Sequence, residues 1–141
     1  MEQTKRARMA GAQLEWTENE LPEKGYFTQV GILDFGTNLR VFENEEIFGP
    51  VASLYRFNDL HEVIDVINKG PFGLGAGIFT QDMKLADQVS REIEAGTFVI
   101  NSFVQSDPRV PFGGVKDSGL GREMGVEGLY DFVSWKVVGQ A

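Results

Sequence analysis

Hydrophobic side chains recur at helical spacing in two segments of the chain, and capping residues bound each segment. Asn58 or Asp59 precedes the first segment and Gly70 follows it, whereas Asp82 precedes the second and Gly96 follows it. These residue types favour the two ends of a helix. We therefore predict two amphipathic helices, with apolar faces formed by Leu60, Val63, Ile64 and Ile67 in the first and by Leu85, Ala86, Val89 and Ile93 in the second.

Three apolar, β-prone segments alternate with these helices. They are Val51–Phe57, Leu74–Thr80 and Thr97–Ile100. The order strand, helix, strand, helix, strand is typical of right-handed βαβ units built on a parallel sheet. We therefore predict an α/β fold with a parallel βαβαβ core.

The segments before this core are less regular. Residues 1–12 fit two interpretations, which stay open: the last turns of a helix that ends at Gly11 and begins outside the sequence, or a frayed, tag-like arm. Gln13–Trp16 is predicted to be extended. A further strand is predicted over Tyr26–Asp34, with Gly36 ending it.

Regular periodicity stops after Asn101. A long loop rich in glycine and proline follows, then a short predicted helix over Val126–Ser134 and an extended segment over Lys136–Val138. Long loops in compact domains are usually functional, and ligands of parallel sheets bind beyond the carboxyl ends of the strands. The loop that leaves the strand ending at Ile100 is therefore the first place to expect a site.

Composition narrows the classes of function. The chain has 141 residues, of which 42% are hydrophobic and 24% charged, as in a single globular domain. The net charge of −8 disfavours nucleic acid and membrane surfaces as partners. The absence of cysteine, with His61 as the single histidine, gives no thiol nucleophile and no thiolate or histidine-rich metal site. Without an apolar run of membrane-spanning length or a signal-peptide pattern, we expect a cytoplasmic location.

A run of alternating glycines invites a dinucleotide-binding interpretation, which we reject. Gly73, Gly75 and Gly77 lead into a predicted strand, whereas the nucleotide fingerprint leaves a strand and enters a helix. Close packing of backbone in a sheet is the better explanation.

The block Glu45–Pro50 is the first candidate site. It places two carboxylates and Phe48 directly before the predicted strand at Val51. A carboxylate there could accept hydrogen bonds from both hydroxyls of a ribose, and the Phe48 ring could stack on a planar ring. The alternative is that Glu45 and Glu46 are solvated turn residues and Phe48 lies in the core.

Residues 101–114 form the second candidate site. Two aromatic residues, Phe103 and Phe112, could wall a small polar pocket in which Ser106 or Arg109 binds a carboxylate. The alternative is a surface loop braced by prolines. Residues alone favour neither interpretation.

Several ordered blocks resemble the NAD(P)-dependent aldehyde dehydrogenase family. They are Glu-Glu-Ile-Phe-Gly-Pro-Val at 45–51, Gly-Leu-Gly-Ala-Gly-Ile-Phe-Thr at 73–80, Ala-Gly-Thr at 95–97, Asn101, Pro-Phe-Gly-Gly-Val-Lys at 111–116 and Ser-Gly-Leu-Gly-Arg-Glu at 118–123. Their order is similar to the C-terminal portion of that family over about Gly11 to Val138. The loop at 101–109 is most similar to the succinate-semialdehyde dehydrogenase branch.

The resemblance implies roles for particular residues. Glu46 would bind the nicotinamide ribose hydroxyls and Phe48 would lie beside the nicotinamide ring. Phe112 would line the substrate tunnel, and Phe103, Ser106 and Arg109 would belong to the loop around it. Residues 12–135 would form part of the catalytic domain, and residues 136–141 would begin a strand of the oligomerisation sheet.

The resemblance also implies what these residues do not supply. Family members attack a small aldehyde with a cysteine thiolate, pass hydride to NAD or NADP and use a glutamate to activate water. These groups are expected outside the segment, so we assign no catalytic residue and no metal ligand. We expect weak or absent cofactor binding and no activity from this chain alone, with self-association or the missing half of the enzyme as its partner. The alternatives are a non-catalytic interaction or regulatory module and a truncated gene product.

Overall fold

The computed structural model describes residues 2–18, 20–39 and 45–140 and divides the chain into two compact units, Met1–Val66 and Ile67–Ala141. Helices and strands alternate in it, and both parallel and antiparallel strand pairs occur. The predicted α/β class is confirmed.

In the first unit, a helix packs on a three-stranded sheet. These elements are α1 (Glu2–Met9), β1 (Gln13–Trp16), β2 (Gly31–Asp34) and β3 (Val51–Leu54). In the sheet, β2 lies between an antiparallel β1 and a parallel β3. Its small core is formed by Ala12, Leu33 and Phe35.

The helical interpretation of the N-terminal residues is confirmed by α1, and Gly11 follows it with a φ of +100°, which suits glycine. The predicted strand Tyr26–Asp34 was too long, because only Gly31–Asp34 forms β2. The register pairs Trp16 with Gly31 at the end of β1, so earlier residues have little strand to pair with.

The predicted strand Val51–Phe57 also ends early, at Leu54, where its partner β2 ends at Asp34. The first predicted amphipathic helix is α2 (Leu60–Lys69). The Asp59 carboxylate accepts hydrogen bonds from the amides of His61 at 2.8 Å and Glu62 at 3.1 Å, so Asp59 rather than Asn58 is the cap.

The second unit contains a βαβ arrangement. Strand β5 (Gly75–Ile78) pairs in parallel with β6 (Thr97–Ile100), and α3 (Met83–Glu92) connects them. The Asp82 carboxylate caps α3 through the amides of Lys84 and Leu85. These observations confirm the predicted helix, its cap and the strand at 97–100.

The end of α3 differs from the prediction, which placed its stop at Gly96. The helix ends at Glu92, where the Asn68 amide donates to the Glu92 carbonyl at 2.7 Å and accepts from the Glu94 amide at 2.9 Å. A side chain distant in the sequence therefore occupies backbone groups that would otherwise extend the helix.

A short antiparallel pair completes the second unit's strands, and the sequence did not predict it. Strand β4 (Phe72–Gly73) pairs with β7 (Val115–Lys116), which interrupts the long predicted loop. Strands of two residues are too short to show an alternating pattern. The last helix, α4 (Gly125–Tyr130), is shorter than the predicted Val126–Ser134, and Lys136–Val138 has no strand assignment.

The sheets differ from the single parallel sheet that the alternation of elements predicted. Among the described residues, β3 pairs with β2 and β5 pairs with β6, so α2 connects strands of different sheets. Close packing explains the glycine run, because an added Cβ would lie 2.5 Å from the Glu94 carbonyl oxygen at Gly73 and 2.9 Å from Val99 Cγ2 at Gly77.

Candidate functional site

The segment Glu45–Phe48 precedes β3, and the side chain of Gln3 on α1 holds its backbone. Gln3 Nε2 donates to the Glu46 carbonyl oxygen at 2.7 Å, and Gln3 Oε1 accepts from the Phe48 amide at 3.3 Å. One carboxamide therefore contacts the backbone on both sides of Ile47.

The two adjacent glutamates have different surroundings. The Glu45 carboxylate accepts a hydrogen bond from Gln3 Nε2 at 3.0 Å and forms an ion pair with Arg6. The Glu46 side chain is exposed and, among the described residues, forms no hydrogen bond or ion pair. Glu45 is thus neutralised locally, whereas Glu46 keeps its acceptor oxygens available.

Phe48 does not belong to a core. Its exposed fraction is 90%, so the alternative that places Phe48 in the core is wrong. The Glu46 side chain, two residues away, has no partner within the described part of the chain, so both groups are open to a ligand there.

A small cavity of about 90 Å³ lies between α1 and this segment. Its wall includes Phe35, which stacks on Tyr55 with ring centroids 4.6 Å apart. Burial raises the pKa of the Tyr55 hydroxyl. Ligand pockets usually have at least about 300 Å³, so this cavity is too small for a nucleotide.

The second candidate segment begins at Asn101, which follows β6. Asn101 has a left-handed φ of 53°, and its carboxamide accepts from the Thr80 amide at 2.8 Å and donates to the Thr80 carbonyl at 2.9 Å. These two bonds fix the direction in which the chain leaves the sheet, since non-glycine residues rarely adopt this conformation without support.

Three of the four predicted substrate residues lie on the exposed part of this loop. The Phe103 ring contacts Phe79 with centroids 5.7 Å apart and is 75% exposed, and Ser106 is exposed. The Arg109 guanidinium donates to both oxygens of the Asp107 carboxylate, at 2.6 Å for the closest pair. This bond lowers the pKa of Asp107 and raises that of Arg109. Nε and Nη2 make this bond, and Nη1 forms no hydrogen bond among the described residues.

Phe112, the fourth residue, lines a cavity of about 370 Å³ that the other three do not line. Phe112 and Glu123 exchange two backbone hydrogen bonds of 2.7 Å, and Arg122 Nη1 donates to the carbonyls of Gly114 and Gly121. The structure therefore does not gather the four residues around one cavity. The cavity is lined by Leu74, Phe112, Gly113, Gly114, Ser118, Gly119, Leu120, Gly121, Arg122, Glu123, Asp131 and Phe132.

Sequence reasoning missed the polar residues of this cavity. Arg122, Glu123 and Asp131 surround it, and the Asp131 carboxylate accepts from the Arg122 amide at 3.2 Å. The dense glycines at 113–121 were the available signal, since a Cβ at Gly121 would lie 2.6 Å from the Asp131 carboxylate. Among the described residues, no three histidine, cysteine or acidic side chains are grouped as metal ligands.

Comparison with known proteins decides the family. The model of the aldehyde dehydrogenase family matches residues 1–138. The chain belongs to the aldehyde dehydrogenase family. It is 41% identical over 128 residues to cytosolic aldehyde dehydrogenase 1 of Rattus norvegicus, an alignment that covers 91% of this chain and 26% of the rat enzyme. The chain therefore spans about a quarter of the length of that relative.

Solved structures of aldehyde dehydrogenases and related proteins share the fold. The aldehyde dehydrogenase of Mycobacterium tuberculosis in complex with NAD+ superimposes with a TM-score of 0.81 at 32% identity, covering 93% of this chain and 27% of that one. The structure of Gox0499 gives a TM-score of 0.86 at 35% identity, covering 99% of this chain and 31% of that one. No helix of the described residues has the length and apolar character of a membrane span.

Proposed function

We propose that this segment supplies the nicotinamide-ribose contacts of an NAD(P)-dependent aldehyde dehydrogenase, with Glu46 and Phe48 as the contacting residues. The observation that carries the proposal is the difference between the two glutamates. Arg6 and Gln3 bind the Glu45 carboxylate. The Glu46 carboxylate is unpaired among the described residues and belongs to the same segment as the exposed Phe48 ring.

These groups fit the nicotinamide riboside half of the cofactor. A carboxylate accepts two hydrogen bonds, which matches the two adjacent hydroxyls of a ribose. An exposed phenyl ring offers a flat apolar surface to an aromatic ring. The cofactor, when bound, supplies the hydride acceptor. The NAD+ complex of the Mycobacterium tuberculosis relative supports this choice of ligand.

For the substrate we propose a small aldehyde that carries a carboxylate, with succinate semialdehyde as the candidate. Phe103, Ser106, Arg109 and Phe112 would belong to the substrate loop. In the described structure Arg109 is bound to Asp107. Its Nη1 forms no hydrogen bond among the described residues, so Arg109 keeps donors for a substrate carboxylate while Nε and Nη2 stay bound to Asp107.

Oxidation itself we assign to a complete dehydrogenase of which these residues form a part. A polypeptide of these 141 residues contains no cysteine, and covalent attack on the aldehyde requires a nucleophile. We therefore propose weak cofactor binding and no aldehyde oxidation by the chain alone. Residues 12–135 as catalytic-domain core and residues 136–141 as an oligomerisation strand remain predictions. So does the cytoplasmic location, which the cytosolic rat relative supports.

A second candidate function is a non-catalytic interaction module. It is favoured by the exposed apolar side chains near the C-terminus, among them Phe132 at 88%, Trp135 at 83% and Val137 at 95% exposure. Such a surface suits association with another protein chain. Its test is the self-association experiment described in the Discussion.

The cofactor assignment is tested by following the backbone amide resonances of the chain during titration with nicotinamide riboside. This compound carries the ring and the diol without the pyrophosphate and adenosine. We expect shifts at Glu46 and Phe48 with an affinity in the millimolar range, and weaker binding by about fivefold or more in Glu46→Gln, because an amide is a poorer acceptor than a carboxylate. Glu62→Gln, which changes another exposed acid of the same unit, should bind like the wild type.

Plain nicotinamide, which lacks the diol, separates the two contacts. It should bind the wild type and Glu46→Gln equally. Two results would contradict the assignment of Glu46. In one, the riboside shifts resonances elsewhere in the chain but not at Glu46 and Phe48. In the other, Glu46→Gln binds the riboside as well as the wild type does.

A further inference from the structure

Gln3 contacts the proposed cofactor segment at three points although it is more than forty positions away in the sequence. Its Nε2 donates to the Glu46 carbonyl and the Glu45 carboxylate, and its Oε1 accepts from the Phe48 amide. We propose that Gln3 is a positioning residue for the nicotinamide-ribose contacts. The inference rests on the proposed function of Glu46 and Phe48.

The chemistry of the carboxamide explains why this side chain suits the task. Of the protein side chains, only those of asparagine and glutamine place a carbonyl acceptor and an NH2 donor on one rigid plane. The Gln3 carboxamide donates to the Glu46 carbonyl and accepts from the Phe48 amide. Both residues proposed to contact the cofactor are therefore held through their own backbone groups, which leaves their side chains unoccupied.

Arg6, one helical turn further along α1, acts in the same direction. It forms an ion pair with Glu45 and so removes the repulsion that two adjacent carboxylates would otherwise have. Gln3 and Arg6 together bind the first glutamate and leave the second one free among the described residues. The helix α1 thus selects which of two chemically identical side chains is available to a ligand.

Nothing in the local sequence of Glu45–Phe48 produces this selection. No regular hydrogen-bonded element includes residues 45–48, which have neither helix nor strand assignment. Without the Gln3 side chain, the backbone of these residues would lose its hydrogen bonds at Glu46 and Phe48 to α1 and gain conformational freedom, which ligand binding would then have to remove. The expected consequence is a loss of affinity with little change in the fold.

The test compares Gln3→Ala with Gln88→Ala. Gln88 is also a helical glutamine with a side-chain hydrogen bond, but it is more exposed than Gln3 and its partner Glu92 lies on its own helix. In Gln3→Ala we expect the Phe48 amide to exchange its hydrogen about tenfold faster and nicotinamide riboside to bind about fivefold more weakly, as loss of ordinary hydrogen bonds implies. Gln88→Ala should change neither quantity. Because alanine favours helices, both variants should keep the circular dichroism of the wild type.

The two hydrogen bonds from the Gln3 side chain to the Glu46 carbonyl and the Phe48 amide are called the clamp below, and Gln3→Glu distinguishes between them. Its carboxylate keeps an acceptor for the Phe48 amide but has no donor for the Glu46 carbonyl and repels Glu45. We expect slow exchange at the Phe48 amide to be retained and riboside affinity to be lost. A purely structural role for Gln3 would instead make Gln3→Ala and Gln3→Glu lose stability without a selective change in riboside affinity.

The outcomes separate the inference from the function on which it rests. If the wild type binds the riboside through Glu46 and Phe48 and Gln3→Ala binds it equally well, the positioning role is overturned and the function stands. If Phe48 exchange accelerates in Gln3→Ala but the wild type shows no riboside shifts at Glu46 and Phe48, the clamp exists and the cofactor assignment, together with the positioning role, is overturned.

Discussion

At the scale of single residues, Gly96 shows how close the backbones of the second unit come. A Cβ at this position would lie 1.7 Å from the carbonyl oxygen of Gly113. We expect Gly96→Ala to lower the free energy of unfolding by about 3 kcal/mol, because the obstacle is backbone that cannot rotate away. Urea titration measures the change, and Gly139→Ala, where no atom lies within 4 Å, should stay within about 0.5 kcal/mol of the wild type. An unchanged urea midpoint in Gly96→Ala would contradict this close approach.

Individual residues of the candidate site differ in whether the sequence could reveal them. The Glu45–Phe48 block and its chemistry were visible, because a carboxylate pair beside an aromatic residue is a local pattern. The partners Gln3 and Arg6 were not visible, since they lie 43 and 39 positions from the groups they bind. For the same reason the local pattern alone did not distinguish Glu45 from Glu46, and only the family resemblance assigned the ribose contact to Glu46. Arg109 and Asp107, in contrast, are only two positions apart in the sequence. Their bond was not predicted because Arg109 was assigned to an external ligand.

At the scale of elements, an ion pair links the ends of the two parallel strands β2 and β3. Arg56 donates to both Asp34 oxygens, at 2.9 and 2.6 Å, and the Gly36 amide donates to one of them at 2.8 Å. The hydrogen bond from Arg56, followed by that from Gly36, holds the pKa of Asp34 below its usual value of 3.8. The folded state thus has the lower pKa, so the pair stabilises it at pH values above the unfolded pKa.

We therefore expect the stabilisation from Asp34 to disappear as pH falls through the lowered pKa of the folded state. Urea unfolding from about pH 6 to about pH 2 measures it, since the difference between wild type and Arg56→Gln should shrink toward zero at the acid end. Lys84→Gln removes another exposed cation, which forms no ion pair among the described residues, and should show no such trend. A difference that stays constant down to pH 2 would contradict the role of the pair.

Elements were predictable where their signals were local. The caps Asp59 and Asp82 and the strands Gln13–Trp16 and Thr97–Ile100 follow from neighbouring residues, and the structure confirms them. The boundaries that failed depend on distant partners: β2 begins where β1 can pair with it, and Asn68 ends α3. Pairing across the chain also decided which strands share a sheet, which element order alone could not determine.

At the scale of the whole chain, apolar surface near the C-terminus is the main unexplained feature. Val137 is 95% exposed and Val138 is 80% exposed. Exposed apolar surface of this kind favours association. We expect the average molar mass measured by sedimentation to rise with protein concentration. Val137→Lys should weaken that rise, because a charge would be buried at the contact. Gln81→Lys adds the same charge elsewhere in the second unit and should associate like the wild type. A clean monomer at high concentration would contradict both self-association and the interaction-module candidate.

The family could be predicted because ordered motifs run through nearly the whole chain, and the family match over residues 1–138 confirms it. The α/β class could be predicted from the alternation of elements, and the structure confirms it. The division into two units could not be predicted. It depends on where contacts are dense, and α2, which spans the boundary, has the same helical pattern on either side of it.

We propose that these residues bind part of the cofactor and substrate but supply no group that attacks an aldehyde, since the chain contains no cysteine. The direct measurement incubates the purified 141-residue chain with NAD or NADP and a panel of aldehydes that includes succinate semialdehyde, and follows both cofactor reduction and the intact mass of the protein. We expect no reduction above the blank and no acyl adduct. Reduced cofactor formed in proportion to the protein, or a covalent acyl group on this chain, would contradict it.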